Sequence, residues 1–262
     1  MFRPRIIPVL LLKDLAIVKS VQFKNYKYIG DPINAVRIFN DLEADELVFL
    51  DTTASKRKRL ISLDFVKAVG EESQMPFCVG GGIRTLEHIK AVIAAGAEKV
   101  VLNTSAGRDP DFVKAAADQF GSSTIVVCID VKRTLFGFER AWILGGSRAT
   151  RFSPLDFAKL MEDKGAGELI VQSIDKDGTM EGYDIDLIRS ISQAVSIPVV
   201  ALGGAGRIED LVEGYCYGLA NALAAGSLFV YQDKRRGVLI NYPEKGEVSF
   251  EQCCSVSPDI GP

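Results

Sequence analysis

Phe77-Cys78-Val79-Gly80-Gly81-Gly82-Ile83 is a short apolar run that ends in three glycines, and an amphipathic stretch follows it over 86–95. An apolar run this short, without alternation, suits a parallel strand buried on both faces. The glycines let the chain turn sharply into the next helix. Similar units recur along the chain. Apolar runs lie at 5–12, 46–50, 77–79, 99–102, 125–130, 168–172, 199–202 and 222–225. Helical patterns are predicted between them near 33–42, 60–69, 86–95, 111–120, 154–164, 185–194 and 208–214. Asp31-Pro32, Asp109-Pro110 and Ser153-Pro154 each set a capping side chain before a proline at the first helical position. Eight strands alternating with helices predict an α/β fold, a closed (β/α)8 TIM barrel. An open doubly wound sheet fits less well, because no GxGxxG follows the first strand.

The Gly run recurs in the second half as Leu202-Gly203-Gly204-Ala205-Gly206, 123 residues after the first. LLLKD at 10–14 matches IDVKR at 129–133, which sets Leu11 opposite Asp130, 119 residues on. A period of about half the chain implies two fused (β/α)4 half-barrels with matching chemistry at matching strand ends. The barrel is expected over 1–230. Residues 231–262 are expected to form a partly irregular C-terminal extension, with the eighth helix short, displaced or absent. Residues 135–146, with Trp142, read as an extra hairpin after the fifth strand.

The formal net charge of −3 disfavours a nucleic-acid or anionic-membrane binder. One His, five irregularly spaced Cys and no CxxC leave little basis for a zinc site or a nucleophile–histidine dyad. No metal or cofactor is expected. Cys78 and Cys128 read as buried thiols, and Cys253-Cys254 lies in a tail without periodicity. The apolar run near the N-terminus is too short to span a membrane, and a cytoplasmic protein is expected.

Three constellations carry chemistry. The Gly runs bring backbone N–H groups to the C-terminal rim of the barrel, where they form two anion cradles. The first comprises Gly81 and Gly82 with Asn103 and Thr104. The second comprises Gly203 and Gly204 with Ala225 and Gly226, beside Asp177 and Gly178. Two cradles point to a ligand with two phosphates. Acid–base candidates Asp51, Asp130, Asp175 and Asp177 fall at or just after strand C-termini, the active face of such barrels. Lys19, read as a loop residue after strand one, is placed to close over an anion. On the opposite face Arg5, Glu46, Lys99 and Glu168 each start a strand. Facing inward, they would form a charge-balanced ring.

Taken together these residues resemble the HisF family, the cyclase subunit of imidazole glycerol phosphate synthase. The resemblance covers residues 3 to about 230. It rests on RIIP, GDP at 30–32, DELVFLD at 45–51, VGGGI, NT at 103–104, IDVKR, GAGE at 165–168, SIDKDGT at 173–179 and GGAG. It implies a duplicated half-barrel, a substrate with a phosphate at each end, and a HisH-like glutaminase docked at the barrel bottom. In that family ammonia passes from the glutaminase through the barrel. Arg5, Glu46, Lys99 and Glu168 match its gate residues, and Glu98 falls in its docking region.

The family uses two catalytic aspartates. Asp130 matches the second, but Leu11 stands at the first. Leucine neither accepts nor donates a proton, so the loss of a paired acid–base group should cripple cyclisation. Gly226 stands where the family commonly has Ser, and RGVLINYP at 236–243 is unlike its last helix. LLLKD, KNYKYIGDPINAV at 24–36 and the LINYP tail resemble the WbuZ-type HisF paralogues associated with sugar amidation in surface-polysaccharide biosynthesis. That resemblance implies a barrel that supplies ammonia to an N-acetyl sugar amidotransferase. A working cyclase-lyase of histidine biosynthesis and a non-catalytic scaffold that activates a glutaminase are the rival readings. A phosphosugar isomerase on the same plan is more distant, because Leu11 counts against it too.

Overall fold

The computed structural model describes residues 3–134, 136–232, 237–244 and 246–250. The eight apolar runs form parallel strands: β1 (Arg5–Lys13), β2 (Leu47–Asp51), β3 (Phe77–Gly80), β4 (Lys99–Leu102), β5 (Ile125–Arg133), β6 (Glu168–Ser173), β7 (Val199–Leu202) and β8 (Ala222–Ala225). Each pairs with the next in sequence. β8 pairs with β1 (Arg5 opposite Ala222) and β5 with β6 (Asp130 opposite Gln172), so the barrel closes. This is the (β/α)8 barrel expected from the alternation of elements.

Helices fill the connections: α1 (Pro32–Asp41), α2 (Leu63–Glu72), α3 (Leu86–Ala94), the short α4 (Thr104–Arg108), α5 (Pro110–Phe120), α6 (Pro154–Asp163), α7 (Ile185–Ser192) and α8 (Ile208–Cys216). The three aspartate- or serine-before-proline caps are all in place. Asp31, Asp109 and Ser153 accept from the backbone N–H of Asn34, Asp111 and Asp156. α2 starts three residues later than the apolar pattern suggests. Ser62 caps it, and the Ile61 N–H is drawn off to the Gly81 carbonyl at 3.0 Å. Among the described residues no helix follows β8, where an eighth helix is expected to be short, displaced or absent. Cys253-Cys254 and the rest of 251–262 lie outside the described residues, as does Leu135.

Two additions to the barrel shape its mouth. Between β1 and α1 the chain forms an antiparallel ribbon, Ala16–Val21 with Lys24–Gly30, which also pairs with the end of β1. After β5 the expected hairpin forms. Glu139–Ile143 runs back along β5 and sets Trp142 opposite Asp130. At the other end of the barrel, Tyr242 packs on Phe229. Its hydroxyl donates to the Ile6 carbonyl at 2.9 Å and accepts from the Asp45 N–H at 3.1 Å.

Burial divides the core in two. A large layer packs the outer strand faces against the helices. A smaller cluster fills the barrel: Ile7, Val9, Val48, Cys78, Val101, Val126, Cys128, Ile170, Val200, Leu202, Ala222 and Ala224, with Leu11 and Leu50 against it. Strand side chains alternate with period two. Arg5, Ile7, Val9 and Leu11 therefore line one wall from bottom to mouth, a path of about 20 Å at 3.3 Å per residue.

Candidate functional site: a charged ring, an apolar barrel and a two-lobed mouth

At the bottom, Arg5, Lys99 and Glu168 open β1, β4 and β6, Glu46 immediately precedes β2, and all four side chains share the inward parity. Arg5 bridges Glu46 and Glu168. Lys99 bridges the same two carboxylates, at 3.2 Å and 3.1 Å. The four alternate in sign and close a ring. Burial by itself disfavours the charged forms, but the facing carboxylates outweigh it and hold Arg5 and Lys99 above their ordinary values. Cys78 adds a fifth member that sequence reading took only as a buried thiol. Its Sγ donates to Glu46 Oε1 at 2.8 Å, and burial pushes the thiol up, so it stays protonated and serves as a donor. Glu98, beside the ring in sequence, lies outside it.

At the mouth, Leu11 and Asp130 both line two adjoining cavities. The half-barrel match is therefore spatial as well as sequential. The first cavity holds Gly81, Gly82, Asn103, Thr104 and Asp51. The second holds Gly203, Gly204, Ala225, Gly226, Asp177, Gly178 and Lys19. The residues named with each Gly run thus line one cavity each. Gly81, Gly82, Gly203 and Gly204 all have positive φ, so turn geometry alone already calls for glycine there.

The acid–base candidates separate by environment. Asp130 is buried, and its charged form is disfavoured mainly by desolvation and further by Asp177, which moves its pKa up to about 7. The Cys128 thiol lies 3.4 Å from its Oδ1. A carboxyl poised near neutrality can give or take a proton. Asp177 is also raised by burial, but it is tied down by the Ser20 hydroxyl at 2.8 Å and the Phe23 N–H at 3.3 Å. Asp51 is spent on its own loop: Oδ1 accepts from the Thr53 and Ala54 N–H groups, and Oδ2 pairs with Arg59 at 2.7 Å. Asp175 accepts from the Arg133 N–H outside both cavities. Both amide hydrogens of Asn103 are likewise committed, to the Cys128 and Trp142 carbonyls at 3.1 Å each.

Lys19 differs most from expectation. It sits in the ribbon, 5% exposed, rather than on an open loop. Its ammonium donates to the Val9 carbonyl, and desolvation, partly offset by Asp177, lowers its pKa to about 8. The ammonium lies over Gly226, where any Cβ would overlap it. The glycine and the inward lysine therefore belong together. Phe23 and Tyr26, also from the ribbon, wall the mouth and were not singled out in the sequence. Period-two spacing back from Asp130 would have flagged Cys128.

Among the described residues no cluster of His, Cys, Asp and Glu could hold a metal, and no helix is long and apolar enough to cross a membrane. Comparison with known families matches residues 5–235 to the one described as "Histidine biosynthesis protein". A Pseudomonas aeruginosa protein that carries the provisional name imidazole glycerol phosphate synthase subunit hisF2 is 45% identical over 244 residues, 93% of this chain and 97% of that one. The imidazole glycerol phosphate synthase subunit HisF of Alkaliphilus metalliredigens is 44% identical over 233 residues, 89% of this chain and 92% of its own. A Vibrio vulnificus protein provisionally named as the same subunit, hisF3, is 40% identical over 248 residues, 94% and 95% of the two chains. With the closed barrel, this extent of match shows that the chain belongs to the histidine biosynthesis protein family and, within it, to the HisF barrels.

Proposed function

We propose that this barrel is the synthase-side subunit of a two-component glutamine amidotransferase. It binds a HisH-like glutaminase at its N-terminal face, around the ring and Glu98, and conducts ammonia to the mouth. The observation that carries the reading is the combination on one axis of a ring, an apolar interior and a one-carboxylate mouth. Arg5, Glu46, Lys99 and Glu168 gate the entrance. The lining from Ile7 to Leu11 and from Val126 to Cys128 is apolar apart from the Cys128 thiol and presents no charged group to hold or protonate a small neutral amine. Asp130 faces Leu11, so the acid–base pair that cyclisation draws on in this family is halved. Ammonia then leaves for a second enzyme, and the WbuZ-type resemblance makes that an N-acetyl sugar amidotransferase of polysaccharide biosynthesis. The cradles hold a phosphorylated ligand at the mouth. The setting is cytoplasmic.

The second reading, a working cyclase-lyase of histidine biosynthesis, is favoured by the names of the relatives and by the near-neutral Asp130. The two separate in one experiment, in which the purified barrel is supplied with the family's ribotide substrate and excess ammonium. Ammonia-supply function predicts no turnover. Turnover at ordinary enzymatic rates would establish the cyclase. A scaffold that only activates its glutaminase predicts faster glutamine hydrolysis that no ring substitution affects.

A further inference from the structure

The run Lys56-Arg57-Lys58-Arg59 follows β2, and neither the conduit nor Asp130 makes use of it. Its end is clamped onto the first cradle. The Arg59 carbonyl packs against Gly82 so closely that any Cβ there would overlap it. The Ile61 N–H donates to the Gly81 carbonyl at 3.0 Å. Behind this clamp lies a cleft of ≈ 280 Å³. It shares Gly82 and Thr104 with the mouth cavity, and Lys58, Arg59, Arg84 and Arg108 line it. Asp109 is its one acidic wall among the described residues.

The charges in this cleft do not cancel. Arg59 is neutralised by Asp51 at 2.7 Å and held by Thr53 Oγ1 at 3.0 Å. Lys58, Arg84 and Arg108 make no ion pair among the described residues. Set against Asp109, three cations without an ion pair still leave the cleft net positive, and a concave positive site focuses its potential on whatever enters it. The cradle inside offers backbone N–H groups for one phosphate. Across the shared Gly82 and Thr104 wall the cation-lined cleft begins. Walls in common mean neighbouring anions rather than the two distant ends of one substrate.

We propose that the first cradle and this cleft together take a diphosphate, with the inner phosphate on the Gly81-Gly82 turn and the outer one among Lys58, Arg84 and Arg108. The proposal names the ligand class of the mouth and rests only on the phosphate-binding part of the function proposed above. Ammonia conduction can fail without touching it.

The test is calorimetric titration of the intact protein with inorganic pyrophosphate and, separately, orthophosphate at 0.15 M salt. Pyrophosphate is expected to bind about tenfold or more tighter, since charge-assisted contacts add to the inner site. Arg84→Ser with Arg108→Ser should erase that advantage while orthophosphate binding persists. Arg133→Ser with Arg140→Ser, on the far hairpin, should leave it intact. Equal affinity for the two anions overturns the proposal, as does an advantage that both double substitutions reduce alike. ADP and geranyl diphosphate then distinguish a nucleotide from a prenyl source. Failure of both to compete with bound pyrophosphate also overturns the proposal.

Discussion

Leu11→Asp tests the central deficit directly. Leu11 is half-buried, faces inward two positions above Val9, and lines both mouth cavities with Asp130. An aspartate there, half-buried rather than buried, would meet part of the desolvation that raises Asp130 to about 7. Two carboxyls in one poorly solvated mouth titrate as a pair, so that one stays protonated while the other ionises. That is the division of labour acid–base catalysis requires. One such group is worth about 10²–10⁴ in rate, or about 3–5 kcal/mol of barrier. Exchanging a half-buried leucine for a carboxyl costs roughly 1–3 kcal/mol of stability, which thermal unfolding would register. The assay is conversion of the ribotide with excess ammonium, in parallel for both proteins. The expected result is no turnover in the unmodified protein and a gain of about 10² or more in Leu11→Asp. The reasoning is refuted if the unmodified protein turns over at about 1 s⁻¹ or faster. It is also refuted if Leu11→Asp is folded and binds the ribotide yet gains nothing.

Three further outcomes follow from the geometry. Lys99→Met keeps the side-chain stem but leaves Glu46 and Glu168 with Arg5 as their one ring cation. Because the Lys99 side chain is 22% exposed, the stability loss should be roughly 1–3 kcal/mol. In the reconstituted complex, glutamine hydrolysis should continue while ammonia escapes to bulk solvent, and unchanged coupling would count against the gate. The raised pKa of Asp130 means the folded state holds a proton that the unfolded chain releases between about pH 4 and 7. Its contribution is fully present below that window and lost as pH rises through about 7. Urea unfolding at pH 5 and pH 8 should show a larger loss in the unmodified protein than in Asp130→Asn. Gly226→Ser should push the Lys19 ammonium out of the second cradle at a cost within about 1 kcal/mol, since the displaced atom ends a flexible chain. NMR titration of labelled lysine should then show its pKa rising from about 8 toward the ordinary value.

The sequence alone was enough for the barrel. Eight short apolar runs, each ended by a turn signal and followed by a capped helical pattern, admit few topologies, and the half-chain repeat selects closure. It also placed Arg5, Glu46, Lys99 and Glu168 at one end of the barrel and the two Gly runs at the other. Strand parity is a property of local spacing, so Arg5, Glu46, Lys99 and Glu168 could be placed on one face from their positions at strand starts. The position of Leu11 against Asp130 was legible for the same reason. What the tertiary structure decided is whatever depends on contacts between distant segments. The ribbon that buries Lys19 pairs back onto β1, and that pairing cannot be read from Ala16–Val21 alone. Asp51 and Asp130 look equivalent at their strand ends, yet Arg59 and two N–H groups satisfy one while burial leaves the other near neutrality. The late start of α2 and the clamp of Arg59 on Gly82 arise because the Gly81-Gly82 backbone, 20 and 23 residues away in sequence, takes the Ile61 N–H and leaves room only for a glycine. Local pattern carries periodicity and turn chemistry; desolvation and the pairing of charges are set only when the closed barrel brings its walls together.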